Sequence, residues 1–124
     1  VSHPLLITLD WKSIREELRE SRREIEDRIQ RGVDLFAHPY AFPQADAAYT
    51  ERFCDLLREC GYASNATTIL GRAWNETDGL RLPRLPANEA DDRQLLILKA
   101  QGYYDWMAVL QSAAKHLRRK VQTS

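Results

Sequence analysis

Apolar residues first recur at helical spacing in the segment from Ser13 to Gly32, where Ile14, Leu18, Ile25 and Ile29 alternate with runs of Arg and Glu. Ser13-Ile14-Arg15-Glu16 has the spacing of a capping box, so the pattern predicts a long amphipathic helix opening at Ser13. Glu24 and Arg28 form an i,i+4 pair on its solvated face, and Gly32 is the expected stop. Asp34 to Tyr40 is then an apolar run of strand length. Pro39 fixes its own φ, lacks an N–H and biases His38 toward extended geometry, so the run closes in a turn.

Asp46 is placed to cap a second helix, with Tyr49, Phe53, Leu56, Leu57 and Cys60 on its buried side and Gly61 at its end. Ala63 to Leu70 is rich in β-branched residues and reads as a second strand. Strand, helix, strand with short connections predicts a parallel unit, and sites in such folds gather at the C-terminal ends of the strands. The sequence "GRAWNETDG" predicts an irregular loop, and "LRLPRLPAN" an extended segment whose prolines exclude a central strand. From Asp91 to Val121 the pattern fits one long helix or two interrupted at Gly102, with Leu95, Leu98, Trp106, Leu110, Ala113 and Leu117 on an apolar side. The basic end "KHLRRK" suits a helix C-terminus and places His116 on the surface.

A length of 124 residues with 44% hydrophobic and 29% charged side chains is that of one domain, 1–124. Eighteen basic side chains balance eighteen acidic ones, so counterion-release binding to nucleic acid is not expected. No apolar run approaches the roughly 20 residues that span a bilayer, and membrane insertion is not expected either. The first ten residues lack the marks of a signal peptide, but the chain opens on Val1, which leaves localisation open. Cys54 and Cys60 would lie about 9 Å apart along the second helix. That is beyond the roughly 7 Å reach of a disulfide, so two reduced, packed thiols are expected. Asn65 and Asn75 stand in glycosylation acceptor patterns, and Asn65 falls in a strand expected to be buried.

The ordered series "VSHPLL", charged helix, "FAHPYA", helix ending "LLRECGY", strand with "TT" and "LRLPRLP" resembles the polysaccharide deacetylases with NodB homology, carbohydrate esterase family four. The resemblance covers nearly the whole chain. It implies an α/β fold: the C-terminal part, about half, of a deformed (β/α) barrel, with a few parallel strands, outer helices and a long C-terminal helix. It also implies hydrolysis of the acetamide or ester of an acetylated poly- or oligosaccharide at a Zn²⁺ or similar divalent ion held by one aspartate and two histidines.

Carried across by position, His3 in "SHP" matches the second metal-binding histidine. The first histidine and the "TFDD" strand would lie before Val1, so the chain alone is expected to be metal-poor and inactive. Pro39 and Tyr40 match the family's "PY", whose tyrosine backbone N–H resembles an oxyanion donor. Phe36 resembles the strand residue before that pair, Arg84 in "LPRLP" matches an arginine that supports an active-site carboxylate, and both are candidates for substrate binding together with His38 and Tyr40. Ala41 stands where the family has a glycine, at a turn that wants positive φ. His38 shares a strand face with Phe36 and Tyr40, and two readings stay open for it: an acid or ligand at the rim, or a hydrogen-bonded histidine beside the pocket.

A cut barrel leaves strand edges and apolar surface uncovered, which predicts a homodimer or higher assembly. The alternative function is a non-catalytic carbohydrate-binding or assembly module, with Tyr40, His38, Trp74 and Trp106 as candidates for stacking on sugar rings.

Overall fold

In the computed structural model, which describes residues 5–111, 113 and 114, the first helix begins earlier than the capping-box spacing implies. Helix α1 runs Trp11–Ile29, and its N-cap is Asp10, whose carboxylate accepts the Ser13 N–H at 2.7 Å. Ser13 therefore lies inside the first turn: an aspartate is at least as good a cap as a serine, and the earlier start brings Trp11 onto Tyr49 of the second helix, with ring centroids 4.9 Å apart. The helix also ends before Gly32. Gln30 takes the left-handed C-cap (φ 53°), and its N–H returns to the Glu26 carbonyl.

Strand β1 is Leu35–Ala37, helix α2 is Ala47–Glu59 capped by Asp46, and strand β2 is Ser64–Leu70. The loop after β2 leads through a short 3₁₀ turn at Gly79–Arg81 into strand β3, Leu82–Arg84. The sheet has the order β1-β2-β3, and both pairings are parallel. The fold is thus mixed α/β around a small parallel sheet. The proline-containing segment supplies an edge strand, the place where a missing N–H is tolerated.

The core lies between α1, α2 and one face of the sheet. Ile14 and Leu18 from α1 meet Phe53, Leu56 and Leu57 from α2, with Phe42, Tyr62 and Leu80 closing the ends. Burial of these side chains is the main stabilising term. Polar bonds fix the pieces: the Tyr62 hydroxyl donates to the Leu18 carbonyl at 3.0 Å, Arg22 donates to the Cys60 carbonyl at 2.7 Å, and Glu26 accepts the Val33 N–H at 2.8 Å. Cys54 and Cys60 are both buried and free, as expected of packed thiols. Asn65 is fully buried and donates to the Leu80 carbonyl, so as placed it has no room for a glycan.

Two expectations about apolar faces do not hold. Ile25 and Ile29 are exposed, because α1 runs past the last strand available to cover it. Of the two arrangements open for the C-terminal region the structure has the one interrupted at Gly102 (φ 97°), with α3 spanning Arg93–Gln101 and helical geometry resuming at residue 106, so the single long helix implied by the resemblance is not formed. Leu98, Trp106 and Leu110 on its expected apolar side are exposed, whereas Lys99 is buried, donating to Asp91 at 2.6 Å and to the Pro86 carbonyl at 2.9 Å. Leu117 and His116 lie outside the described residues.

Phe53→Ala should destabilise the fold by about 3–5 kcal/mol in urea denaturation, since its ring is fully buried at the centre of this core. Asp10→Ala should lower the urea midpoint while Ser13→Ala leaves it nearly unchanged, which distinguishes the two capping arrangements. Three carboxyls sit below their ordinary range: Asp10 through the Ser13 N–H, Glu26 through the Val33 N–H, and Asp91 chiefly through Lys99. The stability they contribute is present above about pH 4 and is lost as pH falls through their folded-state values, so an acid titration of Tm should flatten in Asp91→Asn.

Candidate functional site

The C-terminal ends of the parallel strands carry most of the residues singled out in the sequence. Beside β1 lies an open groove of about 570 Å³, walled by Glu17, Ser21 and Ile25 of α1 on one side and by the edge of β1 on the other. Phe36, His38, Pro39, Tyr40 and Arg84 all line it. A second opening of about 450 Å³ lies beyond Arg84, against Thr68, Leu70 and Leu85.

The residues reach this edge for different reasons. Phe36 points toward α2, its ring 5.4 Å from Tyr62 and 6.2 Å from Phe53. His38 points the same way and is only 3% exposed. Its ring meets Phe42 and Phe53 edge-on, with centroids at 4.9 and 5.2 Å. The His38 ring is thus packed beneath the groove among aromatic neighbours. Tyr40 does not follow them: β1 ends at Ala37, and Tyr40 adopts a left-handed conformation (φ 57°) that turns its ring outward, 55% exposed. The positive φ expected near Ala41 therefore falls one residue earlier, on a tyrosine, where it costs roughly 1–2 kcal/mol. Arg84 extends from β3 across the end of β2, and its guanidinium lies 3.5 Å from the His38 carbonyl.

This turn changes the hydrogen bonding of the strand ends. The register pairs Ala37 with Ala66, so a continued β1 would bring Tyr40 opposite Ile69, its N–H facing the Thr68 carbonyl. Instead the Thr68 carbonyl accepts the side-chain amide of Gln111 at 3.0 Å, and the Thr68 hydroxyl accepts the Phe42 N–H at 2.7 Å. Among the described residues, nothing accepts a hydrogen bond from the Tyr40 N–H. A free backbone donor at the mouth of a groove can stabilise an oxyanion or bind a ligand carbonyl.

Thr68, Gln111 and the α1 wall were not among the sequence candidates. Only the threonine pair "TT" hinted at them. Trp74 and Trp106 do not join the groove: Trp74 lies over Arg72, 4.5 Å from its guanidinium, and Arg72 in turn pairs with Asp105 at 2.7 Å. His3 lies outside the described residues. Among the described residues, no group of three or more His, Cys, Asp or Glu side chains is placed to hold a metal ion. The described residues do not by themselves supply a ligand set for the divalent ion that the resemblance implies.

Tyr40→Gly should raise stability by up to about 1 kcal/mol, because glycine adopts the left-handed region without strain, whereas Ala41→Gly should lower it by a similar amount. Thermal melts of the two variants check the position of the turn.

The chain matches no family model, no curated protein and no solved structure in comparisons with each.

Proposed function

We propose that this chain is a polysaccharide-deacetylase-like protein contributing the substrate-binding rim of a hydrolase for acetylated sugars, on part of a deformed (β/α) barrel. The observation that carries the reading is the Pro39-Tyr40 turn: it ends β1 at the C-terminal edge of a parallel sheet and leaves a backbone donor uncommitted at the mouth of the groove. In this reading the exposed Tyr40 ring stacks on a pyranose, Arg84 donates to sugar hydroxyls, and the Tyr40 N–H receives the acetyl carbonyl oxygen. Phe36 and His38 support the turn from beneath. The metal-bound water that such hydrolysis uses would come from groups outside the described residues, and the described part supplies grip and orientation.

A second reading, a non-catalytic assembly module, draws on the other side of the same groove. Strand β1 is an edge with Leu35 68% exposed, and Ile25 and Ile29 are exposed nearby on α1. A second copy of this chain pairing along β1 would cover them, as a homodimer.

Calorimetric titration with N-acetylated chitooligosaccharide should give saturable binding, weakened about tenfold by Tyr40→Ala and by Arg84→Ala. Absence of binding, or binding indifferent to both substitutions, would refute the sugar-rim reading. Light scattering at micromolar concentration decides the second: a stable monomer removes it.

A further inference from the structure

The last described helical segment reaches the sheet through one side chain. Gln111 Oε1 accepts the Leu70 N–H at 2.8 Å, and Gln111 Nε2 donates to the Thr68 carbonyl at 3.0 Å. Residues Ser64 and Ala66 turn their peptide groups toward β1: Ser64 N–H donates to the Asp34 carbonyl at 3.1 Å, and the Ala66 carbonyl accepts the His38 N–H at 2.9 Å. Thr68 and Leu70 are the next residues with this orientation. In a parallel ladder the C=O of one and the N–H of the other are both taken by a single residue of the neighbouring strand. By register that residue is Tyr40.

Two groups within the chain thus compete for the same pair of peptide groups. With Tyr40 in the ladder, β1 is longer, the turn is gone and the Tyr40 N–H is spent on Thr68. With Gln111 in place, the carboxamide stands in for a strand residue and Tyr40 stays in its left-handed turn. Pro39 does not bar the first arrangement, because alternate residues face opposite edges and Pro39 would face the open one. No residue from 106 to 111 is fully buried, so the helical segment adds little else to hold the turn.

We infer that Gln111 is a positioning residue: by occupying the Thr68 carbonyl and the Leu70 N–H, it holds the Tyr40 turn open and keeps the Tyr40 N–H available to a ligand. The first part stands on the strand register and the two Gln111 hydrogen bonds, and the link to a ligand rests on the sugar-rim reading above.

Amide hydrogen exchange and the HN–Hα coupling of Tyr40, read by NMR on the whole chain without ligand, test the first part. In Gln111→Ala, protection of the Tyr40 N–H should rise about tenfold or more, and its coupling should move toward the extended value as it enters the ladder. Gln111→Glu keeps the acceptor for Leu70 and loses the donor for Thr68, so it should give an intermediate protection. Unchanged exchange and coupling at Tyr40 in both variants would overturn the inference. Titration with N-acetylated chitooligosaccharide then tests the link: affinity should fall in the same order as Tyr40 protection rises. Binding that is equal in all three proteins while Tyr40 protection changes would overturn the link and leave the positioning role standing. A wild-type chain that binds no sugar would overturn the link together with the sugar-rim reading, and the exchange result would still decide the positioning role.

Discussion

A strand that stops beside a longer neighbour leaves that neighbour's peptide groups facing a gap, and buried peptide groups do not remain unpaired. In this chain β1 has three residues and β2 has seven, and much of the arrangement at the C-terminal edge follows from the difference. The Thr68 hydroxyl takes the Phe42 N–H and so draws the chain back over His38. The Thr68 carbonyl and the Leu70 N–H are met from a distant part of the sequence, across 43 and 41 residues. The groove, the outward Tyr40 and the docking of the C-terminal segment all meet at one early strand ending.

An aromatic cluster lies beneath that ending. His38 sits edge-on between Phe42 and Phe53, and Phe53 stacks on Tyr49, which contacts Trp11. This row of rings runs from the strand end through α2 to the start of α1. A histidine within it presents positive ring edges and a π-face to its neighbours, a geometry that an aliphatic side chain of equal volume does not reproduce.

Period and turn chemistry made the α2 unit legible in the sequence: Asp46 as cap, Gly61 as stop, and the parallel pairing of the flanking strands all agree with the structure. The errors lie where two local signals compete. Asp10 and Ser13 are both competent caps, and only the packing of Trp11 on Tyr49 chooses between them. Ile25 and Ile29 carry the helical period, but whether a periodic face is covered depends on how many strands lie beneath it. Near the "HPY" turn the end of the strand was legible because proline constrains its neighbours, while the roles given to Phe36, Tyr40 and Arg84 rest on the family resemblance. Gln111 was invisible, since no local rule links a glutamine on a late helix to a strand far upstream.

The two borders of the sheet are chemically unlike. At β3 the border contains Pro83, which removes one of three backbone donors from that strand, while the β1 border retains all of its donors. Sheets propagate into fibrils when both borders accept a further strand, each copy adding to the last. The two borders are therefore unequal templates: a further strand would find every donor in place along β1 and one missing along β3.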